Sequence, residues 1–429
     1  MIRFIYNLLF PVGILFFLPG YLLKMRRRGN YRRNFGQRLA LYDRDLQSRL
    51  STRRSTWIHA VSVGEVSIAL KLARKMRELD SHFACVLTTT TTTGCAVAER
   101  DAPEWMEVLY NPLDFWPIVR RAFAVIRPIR LILVEAEVWP NLVATARALR
   151  IPVSLVNARL SPRSERRFRK FRAFVAPTFR CLDLVCVQEP GDVERWAGIG
   201  VPRSVIEVVG SIKFDATEET PIANEPRTIL HSLGVNERRP VLFGGSTHPG
   251  EEEILAKVFL RLREEFPDLF FIVAPRHVER SADIVTKLVA LGLRVAVRSA
   301  APASEIDCLL LNTTGELRAW YSVATIVFIG KSLTTTGGQN PVEPILAGKP
   351  VVFGPHMENF KALTRSLLDH SAAVQISDAD SLAQKVAELL RHPDARSRLV
   401  QNAARVLAPH RGATERTAAL VLVAKSLAP

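Results

Sequence analysis

The first chemistry in this chain of 429 residues lies in the stretch Thr56 to Met76, TWIHAVSVGEVSIALKLARKM. Trp57 to Val63 is apolar and β-branched, as a buried strand is. Val66, Ala69, Leu70, Ala73 and Met76 then recur at helical spacing. Gly64 and Glu65 make a two-residue hinge between them. In an open α/β sheet the turn beyond a strand's carboxyl end is where ligands sit. A glutamate there lies near a helix N-terminus, whose partial positive charge favours the ionised carboxylate. Such a carboxylate can take a proton from a hydroxyl. A first-turn glutamate that only complements the helix dipole has the same local pattern.

A second kind of chemistry is offered by glycine turns. Gly244-Gly245-Ser246, in VLFGGSTHPGEEE (241–253), and Gly337-Gly338, in GGQNPVEPILAGKPVV (337–352), follow strand-like runs and precede helices. Exposed backbone N–H groups at such helix starts bind phosphate. Pro341 falls in the first turn of its helix, and Glu343, one turn on, could accept from sugar hydroxyls. APRH (274–277) marks a third strand end. No Walker motif is present, which disfavours phosphoryl transfer from ATP.

These residues must be positioned by a sheet. Strand-like runs fall at 57–63, 84–89, 107–110, 130–134, 152–156, 184–187 and 206–209, with helices between them, notably at 66–79 and 139–149. After a polar stretch, TEETPIANEPR, the rhythm restarts. Strands are expected at 240–244, 269–274, 293–297, 306–311, 325–329, 350–353 and 373–376, and helices at 250–265, 279–291, 340–347, 359–368 and 378–391. The alternation predicts an α/β protein with two doubly wound, Rossmann-like domains facing a central cleft. The expected division is an N-terminal anchor at 1–25, a first domain at 26–216, a linker at 217–227, a second domain at 228–405 and a C-terminal helix at 406–429.

Charge is unevenly spread. Residues 1–55 carry twelve Lys/Arg against two Asp, and residues 159–180 carry eight against one Glu, so these two segments account for the chain's net +16. Basic patches of this kind suit phosphates on a nucleic acid or a lipid surface. Phe4 to Leu23 is an apolar run broken by Asn7, Pro11, Gly13, Pro19 and Gly20 and followed by Lys24, Arg26, Arg27 and Arg28. It reads as a retained membrane anchor, either a span or a shallow interfacial helix, with the protein body on the cytoplasmic side. Between 163 and 179, Phe168, Phe171, Phe174, Val175 and Phe179 alternate with six Lys/Arg. That pattern is expected of a membrane-facing helix surface. The threonine run Thr88 to Thr93 is expected as a strand end turning into a loop. The five cysteines form no C-x-x-C pair and read as reduced core residues, and no cluster has metal-ligand spacing.

HAVSVGE (59–65), EAEVWPN (135–141), GSIKF (210–214), APRH (274–277), GEL (315–317) and GGQNPVEP (337–344), in this order, resemble the Kdo (3-deoxy-D-manno-octulosonic acid) transferases of lipopolysaccharide and lipid A biosynthesis. The resemblance covers almost the whole chain. It implies an inverting glycosyltransferase of the GT-B fold that takes Kdo from CMP-Kdo and adds it to a lipid A precursor, lipid IVA, at the cytoplasmic face of the inner membrane. The first domain would bind acceptor and the second donor, with no cofactor or metal. Glu65 matches the family's catalytic base, and Glu135 and Lys213 match residues thought to assist the transition state. Glu137 is the alternative within its pair. Lys213 could neutralise the Kdo carboxylate or the leaving phosphate. The donor-binding positions fall on Gly245 and Ser246, on Pro275 and Arg276, on Thr314, Gly315 and Glu316, and on Asn340, Pro341, Val342 and Glu343. Asn340 could equally cap its helix. One arginine and a helix start could balance the charge of the CMP phosphate. The chain departs from the family pattern at Thr92, where proline is usual, at Asn312, where aspartate is usual, and at Lys331, where glycine is usual.

Two other readings keep the same turns. One is a membrane-associated nucleotide-sugar or nucleic-acid binder without chemistry; base-reading motifs are missing from the basic segments. The other is an epimerase-type or UDP-sugar GT-B protein, which would not need a lipid-facing anchor.

Overall fold

A computed structural model describes residues 2–27, 34–215, 225–236, 239–300 and 305–425. Contacts divide the chain into two units, Met1–Thr217 with Pro409–Pro429, and Glu218–Ala408.

The first unit is built on β1 (Thr56–His59), β2 (Cys85–Thr89), β3 (Met106–Tyr110), β4 (Arg130–Val134), β5 (Val153–Ala158), β6 (Leu184–Val187) and β7 (Ile206–Val208). They pair in the order β3-β2-β1-β4-β5-β6-β7, every pairing parallel. The chain winds outward from β1 through β2 to β3, then crosses back to lay β4 on the other side of β1. The reversal leaves a crevice at the carboxyl ends of β1 and β4, where neighbouring connections diverge. The strand residues of β1, β2 and β5 are buried throughout, as a sheet covered on both faces demands. One face packs Trp57, Leu131, Leu155 and Trp196; the other packs Ile58, Ile132, Val156 and the apolar stripe of helix Val63–Leu79.

The second unit repeats the plan with β8 (Val241–Thr247), β9 (Phe270–Pro275), β10 (Val295–Val297), β11 (Cys308–Leu310), β12 (Ile326–Ile329), β13 (Val351–Phe353) and β14 (Val374–Gln375). Its order is β10-β11-β9-β8-β12-β13-β14, again parallel, with the reversal between β8 and β12. At this reversal the chains approach closely: a Cβ on Gly330 would stand 2.1 Å from the Ser246 carbonyl oxygen, so only glycine fits.

Several expectations need correction. The strand expected at 57–63 stops at His59, because Ser62 caps helix Val63–Leu79; Gly64 and Glu65 lie in that helix's first turn, not in a hinge before it. Of the linker 217–227, residues 225–227 already belong to helix Glu225–Ser232, and 217–224 lie outside the described residues. The threonine run ends β2 and then enters a helix, with Thr91 as its N-cap. Helix Pro393–Leu407 was not expected. The C-terminal helix Ala413–Val423 packs Ala418 and Val421 into the core beneath helix Val63–Leu79.

The N-terminal run is helical over Ile2–Arg27, yet among the described residues no helix is long and apolar enough to cross a membrane, so a spanning anchor is not supported. Asn7, which breaks the run, explains part of this. Its amide exchanges two hydrogen bonds with Asn141, of 2.9 and 3.0 Å, and accepts from the Trp116 N–H at 3.0 Å. Phe10 stacks on Phe115 with centroids 5.4 Å apart. Beneath, Asp114 accepts from the N–H groups of Asn141 and Leu142 at 3.0 and 2.8 Å; burial lifts its pKa to about 6 against these bonds. One side of the helix is thus fastened to the first unit. Phe4, Leu8, Leu9, Val12 and Phe16 are exposed.

Asp215 fastens the returning C-terminal helix by accepting from the N–H groups of Gly412 at 2.8 Å and Thr414 at 2.7 Å. Loss of such a cap costs about 1–2 kcal/mol. Asp215→Ala is therefore expected to lower thermal stability and to speed amide hydrogen exchange first within 413–423; unchanged exchange there would remove this role.

Candidate functional site

The first unit gathers three carboxylates at its reversal point. Glu65 follows β1, and Glu135 and Glu137 follow β4. Glu65 is 8% exposed. Its Oε2 accepts from the Val61 N–H at 2.9 Å and its Oε1 from the Ser62 hydroxyl at 2.7 Å. The Ser62 oxygen accepts in turn from the Glu65 N–H at 3.4 Å. This is the reciprocal N-terminal cap of a serine three residues before a glutamate. The dipole role and the ligand-facing role therefore fall on one side chain: the cap fixes its rotamer, and each carboxylate oxygen keeps a lone pair.

Glu135 holds a left-handed backbone, φ 60°, which a glutamate rarely adopts. Burial and the charge of Glu65 raise its pKa, while Arg159 and Lys213 oppose the rise. Burial, then Glu65, lifts Glu137 further, to about 7. Lys213 is itself pushed down by burial, against the pull of Glu135. The structure thus brings Glu65, Glu135, Glu137, Arg159 and Lys213 into one electrostatic group. Asn157 went unnoticed in the sequence. Buried at the end of β5 with φ 51°, it accepts from the Ile212 N–H at 3.0 Å and so sets the turn that carries Lys213. Its only sequence signal was a polar residue inside an apolar strand.

The second unit lines a cavity with Ser246, Pro275, Arg276, Thr314, Gly315 and Glu316, among others. Ser246 has φ 52°, the kind of strain that accumulates at functional positions. Gly245 lies beneath, filled over by Tyr321, whose hydroxyl would stand 2.5 Å from a Cβ there. Glu316 is already engaged: its Oε2 accepts from the Thr313 hydroxyl at 3.1 Å and the Trp320 indole at 3.2 Å, and it pairs with Arg298 at 3.3 Å. Its place is in the wall. Glu343 is raised by burial, with Asn340, Arg318 and Arg276 opposing. Arg276 therefore acts on Glu343 while lining the cavity. Arg318 and Tyr321, which also lie close to Glu343, were not singled out in the sequence.

The expected phosphate grip by backbone N–H groups is not what the glycine turn provides. The Gly337 N–H donates to Glu358 at 2.6 Å, the Gly338 N–H to the Lys331 carbonyl at 3.0 Å and the Gln339 N–H to the Gly330 carbonyl at 3.0 Å. Asn340 Oδ1 takes the Val342 N–H at 3.0 Å, the capping alternative. Pro341 stands at the N-cap, and the helix behind it, Val342–Leu346, is five residues long, too short to build a full dipole. Gly338 is there for space, since a Cβ would meet the Met357 sulfur at 2.4 Å. Among the described residues, no group of three or more His, Cys, Asp or Glu could hold a metal ion.

The surface helices Pro162–Lys170 and Arg172–Phe179 divide the expected membrane-facing stripe. Phe168 and Phe179 pack edge to face, Phe179 meets buried Trp196, and Val175 packs against the core, whereas Phe171 and Phe174 are about half exposed. Beside them runs an apolar groove of about 470 Å³, with Arg3, Tyr6, Val138, Phe174 and Phe179 among its walls.

Two parallel-sheet α/β units, each with polar groups at its strand-order reversal, give the chain a GT-B-like fold. The crystal structure of UDP-GlcNAc 2-epimerase from Neisseria meningitidis is similar in fold, with TM-score 0.57 and 12% identity over 86% of this chain and 99% of that one. Residues 33–216 match the family profile described as 3-deoxy-D-manno-octulosonic-acid transferase (kdotransferase). The 3-deoxy-D-manno-octulosonic acid transferase of Haemophilus influenzae is 31% identical over 390 residues, 90% of either chain. That of Bordetella pertussis is 34% identical over 372 residues, 84% of this chain and 85% of its own. The chain belongs to the 3-deoxy-D-manno-octulosonic acid (Kdo) transferase family of glycosyltransferases.

The raised Glu137 carboxyl sets a pH test. Its folded pKa, about 7, lies above the unfolded value of about 4.3, so the folded state holds this proton more tightly and loses stability as pH rises between them. Glu137→Gln removes the loss. The variant is expected to gain thermal stability relative to wild type from about pH 5 to about pH 8, and to show no such gain below about pH 4. Parallel melting profiles across that range would contradict the assignment.

Proposed function

We propose that this protein transfers Kdo from CMP-Kdo to a hydroxyl of a lipid A precursor, lipid IVA, inverting the anomeric carbon, at the cytoplasmic face of the inner membrane. Glu65 carries this reading. It is an otherwise buried carboxylate, fixed by the Val61 N–H and the Ser62 hydroxyl, at the reversal point of the first sheet. In the reaction, Glu65 takes the proton of the acceptor hydroxyl as that oxygen bonds to the anomeric carbon. The bond to the CMP phosphate oxygen breaks on the opposite face, and CMP departs with the electron pair. Burial and the charge of Glu65 favour the protonated forms of Glu135 and Glu137, which opposes a second ionised carboxylate beside the base. Lys213 stands with them as the cation for negative charge on the sugar acid or the leaving group.

The donor falls to the second unit. Arg276 and Ser246 line its cavity, and Glu343 offers a carboxylate to sugar hydroxyls. The lipid reading is supported by the exposed apolar side of helix Ile2–Arg27, by Phe171 and Phe174, and by the basic residues among them. An interfacial helix of this kind lies in the membrane plane. The leaving group holds one phosphate and not a diphosphate, so Lys213 and Arg276 balance its charge in this scheme without a divalent ion.

Glu65→Gln is expected to lower turnover of CMP-Kdo with lipid IVA by about 10²–10⁴-fold, the usual worth of a general base, while CMP binding and melting temperature hold. Wild-type turnover in this variant would end the proposal, and EDTA is expected to leave the wild-type rate unchanged. Phe174→Asp is expected to reduce flotation with anionic phospholipid vesicles; equal flotation would remove Phe174 from the membrane contact.

A further inference from the structure

The donor proposed above carries two negative charges, one on its phosphodiester and one on its sugar carboxylate. Several backbone donors of the second unit's loops are already taken. Besides the glycine-turn groups already paired, fully buried Glu251 accepts from the N–H groups of His248 at 2.8 Å, Lys331 at 2.7 Å, and Ser332 and Leu333 at 3.0 Å each. The loop Gly330–Gln339 is closed on itself by the Gly338–Lys331 and Gln339–Gly330 bonds, and the Gln339 amide meets His248 Nε2 at 3.1 Å. The N–H groups of Lys331, Ser332, Leu333, Gly337, Gly338 and Gln339 are thus all taken within the protein.

Lys331 stands in this loop with φ 58°, a conformation that glycine would hold without strain. Its Nζ lies 3.3 Å from where a Cβ on Gly337 would stand, so the ammonium is folded over the glycine turn. Burial, then the charges of Lys331, His277, Arg280 and Arg276, hold the His248 imidazole neutral, so Lys331 and Arg276 both face it. Arg280 pairs with Glu252 at 3.0 Å and His277 with Glu279 at 3.3 Å. Among the described residues, no ion pair within 4.0 Å includes Lys331 or Arg276.

We propose that Lys331 is a donor-binding residue that, with Arg276, forms a two-cation cradle for the two anionic groups of the sugar nucleotide. The inference rests on the CMP-Kdo reading for its ligand. Its geometry stands on the closed loop, the Lys331 ammonium folded over Gly337 and two cations that, among the described residues, are in no ion pair within 4.0 Å.

The test is Lys331→Met, which keeps the side chain's bulk and removes its charge, and Lys331→Gly, which removes the charge and the left-handed strain together. Both are expected to raise KM for CMP-Kdo about tenfold, to leave kcat and acceptor KM within about twofold, and to flatten the dependence of donor KM on ionic strength. Lys331→Gly is further expected to raise the melting temperature; greater stability with weaker donor binding is a pairing that a structural lysine would not produce. A donor KM within twofold of wild type in Lys331→Met, where wild type turns over, overturns the cradle and leaves the proposed function standing. Should wild type neither bind nor turn over CMP-Kdo, the proposed function falls, and equilibrium binding of inorganic phosphate decides the cradle. Binding by wild type that is lost in Lys331→Met upholds it; equal binding, or none by wild type, overturns it.

Discussion

A parallel sheet has to return its chain to the same edge after every strand, and a sheet begun in the middle has to reverse direction once. In both units that reversal falls beside the first strand laid down, between β1 and β4 and between β8 and β12. Connections on the two sides of a reversal leave in opposite directions, so nothing covers the strand ends between them. The positions singled out for chemistry cluster at these ends. Glu65, Glu135 and Glu137 are brought together in the first unit, and Ser246, Arg276 and the Lys331 loop in the second. Loop residues are held there by strands whose own side chains are almost wholly buried.

Burial beside an opening makes polar groups costly unless each is answered. In the first unit the answer is partly electrostatic: Arg159 and Lys213 oppose the rise of the Glu135 pKa. In the second it is hydrogen bonding. Glu251, fully buried, takes four backbone N–H groups and joins the start of helix Glu251–Arg263 to the loop that follows β12. Burial raises the Glu251 pKa while the four donors oppose the rise, and removing the carboxylate would orphan every one of them. The left-handed residues Glu135, Asn157, Ser246 and Lys331 occur at these same openings. Strain is tolerated where surrounding bonds over-determine the backbone.

The strands were legible because both sheets are buried on two faces, so each strand is a short apolar run bounded by polar residues. Helices with one apolar stripe were legible for a similar reason. Helix Pro393–Leu407 was missed; only Ala403 and Leu407 on it are buried, so no apolar core stripe marked it. Glu65 could be found from its place after an apolar run, whereas its cap by Ser62 moved the helix start three residues earlier, from the expected Val66 to Val63. The fate of the Gly337 and Gly338 N–H groups was out of reach. One goes to Glu358, a partner that no local motif announces. Of the aromatic residues at 163–179, a count could not tell those that face Trp196 from those that face outward.

The order in which residues leave the ribosome runs against the order in which the first unit is completed. Helix Val63–Leu79 emerges early, but Ala418 and Val421, which cover part of its apolar face, come after the whole second unit. Until then that face must be shielded by something else or stay wet. Such a topology makes the first unit hostage to the last-made turn of the chain, so a premature stop that spared every residue near Glu65 would still leave its helix without a roof.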